Sequence, residues 1–567
     1  MSRPAKILAT VAASIAGVIA VLVIAAFIIL HTSWFSNYVR GKIVSTVEQA
    51  AGAKAHIGSL QVDWTSLTIH IRNFVVHGTE PAAAAPLLHV SLITLHLKLF
   101  SGIAHMIDIA YVGVEQPHVD LIVFPDGRTN IPHPKIRKAA ASKNGNSLQT
   151  VLNLKIGKFD IEKGLIQFAE EKSAFSARGE NLRAILNYNG GTPSYAGGVS
   201  IDPLILKSAS RPPLDARINI PVTIEANAVR IANAQVRTGE SSVVLNASVG
   251  NLNVPNIQAS MNASISLPEI RRSFNMPIDP NAPGAPKVLT AELAANINEQ
   301  TKKIQVRSAH LALGGTTFQA AGALNGPNDG AIRFSGNLAL EQLSRLLNLS
   351  TRASGTLLLA GAVKLNAQDR YSVDGTVNSR DLAFSNGTTH ISNVSLYTPF
   401  HADPYLVDLN QLRLRALGGE ITAKLFIENM RRLSFESHLR SFNLPRIAAL
   451  ATGKHIGYDG AIDGSLKAQG NLKAKGATGF RAQANLAIVP GHRGVPLSGR
   501  LVADYSGVTG AVDIGHSYLA LPHSRLDISG SLHQSESARQ RIDISLVSHN
   551  LNDFLPAMDL MSSGKPA

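Results

Sequence analysis

Residue types that could do chemistry are present in this chain, but they are not arranged for it. The 567 residues include 19 histidines and no cysteine, which excludes thiol catalysis, disulfides, Fe–S clusters and cysteine-type zinc sites. Neighbouring histidines such as His516 and His523 stand among ordinary alternating strand residues. A histidine without a carboxylate to orient it is far more often solvated than metal-bound. We therefore predict no metal site.

Motifs of the common enzyme classes are also absent. The sequence contains neither His-Glu-x-x-His nor Gly-x-Ser-x-Gly, and the nearest approach to a phosphate-binding loop, at 470–479, has alanine after Gly476. The sequence thus predicts no catalytic residues, no cofactor and no enzymatic activity.

The charge pattern argues against a nucleic-acid-binding protein. The formal net charge is +14 and the pI about 9.8, but the 53 lysines and arginines are scattered singly and no aromatic residues interleave with basic runs. Nucleic-acid binding is therefore not expected. Charged residues make up only 16% of the chain, against about a quarter in ordinary soluble domains. Low charge with many small polar residues is typical of an extracytoplasmic β-protein.

The first fifty residues predict a membrane anchor. Residues 7–30 form an uncharged apolar run of about 24 residues, and about 20 helical residues cross the hydrocarbon core. Arg3 and Lys6 precede the run, which favours a cytoplasmic amino terminus. We interpret 1–33 as a cytoplasmic tip and a single transmembrane helix. The alternative is a cleaved signal peptide, whose apolar region would span only about 7–15 residues.

A second helical pattern follows the apolar run. Phe35, Val39 and Ile43 recur at helical spacing, which predicts an amphipathic juxtamembrane helix over 34–55. Trp34, Phe35 and Tyr38 fit the aromatic belt of a membrane interface.

From His56 onward the apolar period changes to two, which predicts strands with one buried face. Leu67, Ile69 and Ile71 alternate with polar residues, and so do Val119, Leu121 and Val123. We assign 56–133 to an amino-terminal β segment. The polar stretch 134–150 is longer than the usual connection and is predicted to be a flexible loop.

The remainder, 151–567, contains an internal repeat. Leu313-Gly314-Gly315 recurs as Leu417-Gly418-Gly419, and Leu521-Pro522 stands at the corresponding place, each about 104 residues on. Each copy leads to a short helical pattern, so we predict units that end near 273, 347, 450 and 558. Isolated glycines such as Gly361 and Gly375 are read mainly as turn residues, and otherwise as relief where a sheet bends.

A sheet with one apolar face must cover it with a second sheet, with helices, by curling on itself, or with ligand. The sequence predicts too few helices for this. The predicted fold class is therefore mainly β: a transmembrane helix followed by an elongated, repeat-built, curled sheet that forms a groove. We expect Leu67, Ile69, Ile71, Val119, Leu121 and Val123 to line it. A set of compact β-sandwiches is the alternative, since it uses the same alternation.

Several segments carry a family resemblance. The anchor, the segment EQAAGAKAHIGSLQVDW at 48–64, the strand EQPHVDL at 115–121, the turn PDGRTNIP at 125–132 and the strand-then-helix units resemble the AsmA-like superfamily, and its TamB branch in particular. Asp126-Gly127 with Asn130 is the most specific point, and it is a turn rather than a site. The resemblance implies a single-pass inner-membrane protein with its bulk in the periplasm, and kinship with bridge-like lipid transfer proteins.

Together these observations predict a non-enzymatic protein that binds phospholipid acyl chains and takes part in phospholipid transport to, or maintenance of, the outer membrane. The expected partners are the inner membrane and phospholipid acyl chains, with an outer-membrane protein as a further candidate. One alternative is an assembly or secretion factor that lends strand edges to an outer-membrane protein. Another is an anchored structural or adhesive β-sandwich protein.

Overall fold

The structure is a computed structural model that describes residues 32–98, 108–132, 152, 155–209, 211–252, 254–274, 276–326, 329–366, 370–386, 389–474, 476–533 and 540–562. The predicted anchor at 7–30 and the predicted loop at 134–150 lie outside these residues. None of the helices described has the length and apolar character needed to span a bilayer. The chain divides into two compact units, Met1–Met276 and Pro277–Ala567.

The prediction of a mainly β protein with few helices is confirmed. The first unit contains helices α1 (Ser33–Ala51) and α2 (Leu267–Ser273). Its strands are β1 (Lys54–Asp63), β2 (Thr68–His77), β3 (Leu88–Lys98), β4 (Asp108–Val123), β5 (Lys158–Glu170), β6 (Phe175–Asn189), β7 (Ser194–Ser208), β8 (Leu214–Glu225), β9 (Ala228–Arg237), β10 (Ser242–Gly250) and β11 (Asn256–Ser266).

The second unit contains helices α3 (Leu340–Leu346), α4 (Leu444–Thr452) and α5 (Leu555–Ser562), with 3₁₀ turns at Gly476–Gly479 and Leu551–Phe554. Its strands are β12 (Val288–Asn298), β13 (Lys303–Leu313), β14 (Thr316–Asn325), β15 (Gly330–Ala339), β16 (Arg352–Ser354), β17 (Thr356–Asn366), β18 (Arg370–Asn386), β19 (Thr389–Ala402), β20 (Leu406–Ala416), β21 (Gly419–Glu428), β22 (Arg432–Asn443), β23 (Tyr458–Asn471), β24 (Phe480–Pro490), β25 (Val495–Pro496), β26 (Ser498–Ser506), β27 (Ala511–Leu521), β28 (Ser524–His533) and β29 (Arg541–Ser548).

Within each unit the strands pair mostly with their neighbours in the chain, in antiparallel fashion. β4 and β5 are an exception, because they pair in parallel. In the second unit β15 pairs directly with β17, and the short β16 lies beside β18 instead. Similarly, β24 pairs with β26, while β25 makes a short parallel pair with β23.

Bulges interrupt the middle of many strands. In the first unit, non-glycine residues with positive φ lie in mid-strand at Asn73 (50°), Gln116 (51°), Lys163 (54°), Asn181 (50°) and Asn233 (55°). The register of the second unit shifts in the same way, for example between Val306 and Ala309 and between Leu439 and Phe442. Since a bulge bends its strand and increases the local twist, each sheet is curved rather than flat.

Helix α1 begins where the hydroxyl of Thr32 accepts the amide of Phe35, and it ends at Gly52, whose φ of 66° is left-handed. The helix ends four residues before the end of the segment 34–55 that was assigned to it, because Gly52 stops it and β1 starts at Lys54. Val39, Ile43 and Val44 of α1 pack against a buried cluster formed by Ile57, Leu60 and Ile71.

The repeated motifs prove to be hairpin turns held by short helices. In the turn between β13 and β14, the amide of Gly315 donates to Gln342 Oε1 of α3 at 2.7 Å. In the turn between β20 and β21, the carbonyl of Leu417 accepts the amide of Asn443, the N-cap of α4, at 3.2 Å. Each turn is therefore fixed by the helix that follows two strands further along.

The first and last copies use carboxylates for the same purpose. Glu269 of α2 accepts the hydroxyls of Thr238 (2.5 Å) and Ser241 (2.6 Å) and the amide of Glu240 (3.0 Å). Asp553 accepts the amide of His523 (2.8 Å) and the hydroxyl of Ser524 (2.9 Å). We refer to Glu269, Gln342 and Asp553 as the latch residues.

Candidate functional site

One face of the first unit is apolar and almost free of charged residues. Residues opposite each other in a ladder point to the same face, so the register can be followed from strand to strand. One row across β1 to β8 consists of Leu60, Ile71, Ile93, Val114, Ile161, Ala184, Val199 and Ile220. Neighbouring rows are similar, and the one charged residue in them among the described strands of this unit is Glu170, which pairs with Val123 at the end of β5. We call this surface the apolar face.

The second unit has an apolar face of the same kind. One row across β13 to β19 consists of Leu311, Phe318, Gly336, Leu359, Val377 and Thr398. Another row, across β20 to β26, consists of Leu414, Ile421, Leu439, Gly464, Leu486 and Leu501. Charged side chains are absent from this face of the described strands of the second unit.

The opposite face of each unit carries the charges. In the second unit Asp374 Oδ1 lies 2.6 Å from His401 Nδ1, and Asp374 Oδ2 lies 3.3 Å from Lys364 Nζ. The hydrogen bond between His401 and Asp374 is the largest cause that lowers the pKa of the carboxyl and raises the pKa of the imidazole. Each sheet therefore separates a wet face from an apolar one.

Helix α1 covers only the start of the apolar face of the first unit. Beneath it Ile57 is fully buried and Ile71 is 5% exposed. On β4, by contrast, the apolar-face residues Val119 and Leu121 are only half-buried. Among all described residues just 22 hydrophobic residues are buried, which is too few for a second layer packed along these strands.

The apolar face of the second unit is more open still. Leu311 is 43% exposed and Leu501 is 42% exposed. On the last strand, β29, Ile544 reaches 65% exposure. Side chains of this size at such exposure indicate a surface that can accept apolar ligand.

The six predicted groove-lining residues fall into three groups. Leu67 lies in the turn between β1 and β2 with a φ of 51°, so it is not part of a strand. Ile69 and Ile71 lie on the apolar face where α1 packs. Val119, Leu121 and Val123 share one face of β4, beyond the cluster under α1.

The three predicted interface aromatics all belong to α1. The rings of Phe35 and Trp64 are 6.1 Å apart, and Tyr38 is 54% exposed. These contacts attach the start of the helix to the turn between β1 and β2. Trp34 lies in the first turn of the helix.

Two glycines lie in mid-strand on the apolar face of the second unit, rather than in turns. A Cβ at Gly361 would be 2.8 Å from the ring of Phe334, and a Cβ at Gly375 would be 2.7 Å from the ring of Phe400. Phe334 also stacks on Phe318, with centroids 5.9 Å apart. Aromatic rings thus lie over glycine backbone, at positions where a larger residue would clash with them.

Sequence reasoning missed two structural features near the site. Asn130 is fully buried: its side chain donates to the carbonyl of Asp120 (2.7 Å) and accepts the amide of Ile122 (2.9 Å), which ties the PDGRTNIP turn to β4. The latch residues were also missed. In the sequence they are marked only by a polar residue about 27–30 positions after the hairpin turn that each one holds.

No family model matches the chain, and no curated protein matches it closely enough to count as a relative. Among the described residues, no group of three or more histidine, aspartate or glutamate side chains could hold a metal ion. The candidate functional surface of each unit is therefore its apolar face.

Proposed function

We propose that this protein binds the acyl chains of phospholipids along the apolar faces of its two units, without catalysis. The observation that carries the proposal is the apolar face of each unit, on which Glu170 is the one charged residue among the described strands and over most of which the described residues form no packed layer. Burying hydrocarbon against such a face is favourable by about 0.8 kcal/mol per methylene. A charged or strongly polar ligand would gain nothing there.

The amino-terminal apolar run supports a location and a role for this binding. The apolar run at 7–30 would anchor the chain in the inner membrane with the bulk in the periplasm. Together with the resemblance to AsmA-like and TamB-like proteins, this anchor supports a role in phospholipid transport to, or maintenance of, the outer membrane. Rows of equivalent apolar positions would let an acyl chain exchange one contact for a similar one, so that movement needs no ATP.

The test compares two carboxylates placed on opposite faces. Leu121→Glu puts a charge on the half-buried apolar face of β4, whereas Asn187→Glu puts the same charge on the exposed polar face of β6. We expect the phospholipid that co-purifies with the full chain, measured by mass spectrometry, to fall about tenfold in the first variant because a charge is costly in an apolar site. It should be unchanged in the second. Equal lipid in both variants, or none in the wild type, would contradict the proposal.

A second candidate function is favoured by one specific strand. β29 pairs with β28 along one side, and on its apolar face Ile542, Ile544 and Leu546 are 42%, 65% and 55% exposed. Such an edge can add a strand from another protein, as expected of an assembly factor for outer-membrane proteins. If Ser545→Pro abolished cellular function while Leu121→Glu left it intact, this second candidate would replace the first.

A further inference from the structure

A cavity interrupts the sheet of the second unit between β19, β20 and α4. The strand β20 pairs with β19 only from Ser395 onward, so the first residues of β19 have no strand beside them on this side among the described residues. A cavity of about 700 Å³ lies at this place, between the start of β19, the end of β20 and α4. We call it the notch.

The lining of the notch is amphipathic. Ile391 shares a face with Phe384 of β18, and it contributes to the lining together with Leu417 and Leu450. Arg415, Arg446 and His390 supply the polar side. The notch therefore joins an apolar wall to a cationic one within one cavity.

Arg446 is the best placed of the cationic groups. Its guanidinium extends over the turn at Gly418, where a Cβ would come within 3.6 Å of Nη1. The side chain is exposed, and no carboxylate among the described residues forms an ion pair with it. Arg415, in contrast, is already paired with Glu420 at 2.8 Å. The notch thus offers one uncompensated guanidinium, a group suited to binding phosphate.

We propose that the notch binds the phosphate of a phospholipid headgroup, with Arg446 as the main contact and Ile391, Leu417 and Leu450 against the first methylenes of the acyl chains. This inference rests on the proposed function, because it gives the headgroup a place while the chains lie on the apolar face. The same guanidinium could take free phosphate, and the experiment separates the two sources.

The absence of cysteine allows a single reporter to be placed in the notch. Ser392 is exposed in its lining, so a Ser392→Cys full-length chain carries one environment-sensitive fluorophore. It is titrated with dihexanoyl phosphatidylglycerol, with dihexanoylglycerol, which lacks the phosphate, and with inorganic phosphate. The same titrations are made with Arg446→Gln added. Arg432→Gln is the matched control, since Arg432 is an exposed arginine of the same unit that lies 3.5 Å from Glu428.

We expect phosphatidylglycerol to change the fluorescence at concentrations where the other two probes do not. Arg446→Gln should weaken this binding about tenfold, as loss of a charge-assisted contact does, and Arg432→Gln should leave it unchanged. Equal affinity in both variants would overturn the inference. A response to inorganic phosphate as strong as the response to the lipid would overturn the headgroup assignment.

Failure of the inference can be told apart from failure of the proposed function. The phospholipid that co-purifies with each variant is measured on the same samples. If it is retained while the notch reporter stays silent, acyl-chain binding stands and the notch assignment fails. If the wild type carries no phospholipid, the proposed function itself fails.

Discussion

The strands under α1 and the terminal strand β29 have the same alternating pattern and opposite surroundings. Ile57 and Ile71, in the first unit, are buried by α1 and by each other's strands. Ile544, in the second unit, is 65% exposed on an apolar face of the same type. Alternation thus determines which side chains share a face, and the covering element determines whether that face is buried core or exposed surface.

The largest effect is expected for a substitution in the cluster that α1 buries on β1 and β2. Ile57→Ala should destabilise β1 and β2 by about 3 kcal/mol, because it leaves a cavity in a fully buried cluster. Ile544→Ala should change the stability of β28 and β29 by less than about 0.5 kcal/mol, since little buried surface is lost. Hydrogen exchange of the two hairpins, followed by mass spectrometry, measures both.

Equal protection losses in the two hairpins would mean that the face at β29 is covered in solution, by another copy or by ligand. The exchange experiment is then repeated on delipidated protein. If the loss of protection becomes smaller in the β28–β29 hairpin than in the β1–β2 hairpin, bound ligand was covering the face at β29.

The latch residues Glu269 and Gln342, one from each unit, also differ in burial, and the more buried one should contribute more to stability. Glu269 is 5% exposed and accepts three hydrogen bonds, so Glu269→Ala should destabilise the turn at 238–241 by about 2 kcal/mol. Gln342→Ala removes one partly solvated bond to Gly315 and should cost about 0.5 kcal/mol. Local hydrogen exchange of the two turns checks the ranking. Similar losses at both turns would show that burial does not decide the strength of a latch.

The polar face should give the smallest effect. The raised pKa of His401 means that its contribution to stability is full below about pH 6.5 and is lost as the pH rises through the raised value. The lowered pKa of Asp374 makes its contribution full above about pH 3.9, and this is lost as the pH falls through the lowered value. The pair is therefore most stabilising between about pH 4 and 6.5.

Since His401 and Asp374 are both more than a third exposed, the gain is below about 1 kcal/mol. Denaturant midpoints at pH 5.5 and pH 8.5, for the wild type and for His401→Gln, measure it. The wild type should lose more stability than the variant on going to pH 8.5. A larger loss in the variant would reverse the assigned sign.

Periodicity was enough to predict the mainly β fold and the shared face of Val119, Leu121 and Val123. It was also enough to find the repeat, because Leu313-Gly314-Gly315 and its copies are local patterns. Leu67 was expected to continue the alternation of Ile69 and Ile71, but it lies in the turn before β2 because its left-handed φ ends the alternation there, and one sequence does not reveal φ.

What the sequence could not predict depends on contacts between distant residues. The burial of Ile71 requires α1 to fold back on β1 and β2, and periodicity says nothing about that. The latch at Glu269 joins residues about 30 apart through a buried carboxylate, which in the sequence looks like any solvated glutamate. Gly361 and Gly375 follow the second of the two readings, relief of crowding within the sheet, and the sequence does not show this because the crowding rings, Phe334 and Phe400, belong to other strands.

The near-sequential pairing of the strands has a consequence for how the chain acquires its structure. Most ladders join segments adjacent in the chain, so loop closure costs little and each hairpin presents an edge on which the next strand can form. We expect folding to advance from strand to strand in the order of synthesis. Pulse-labelling exchange during refolding would show amides protected in chain order. Exceptions are expected at β5, whose parallel partner β4 lies across a long connection, and at β17 and β26, which pair with β15 and β24 instead of the strand just before them.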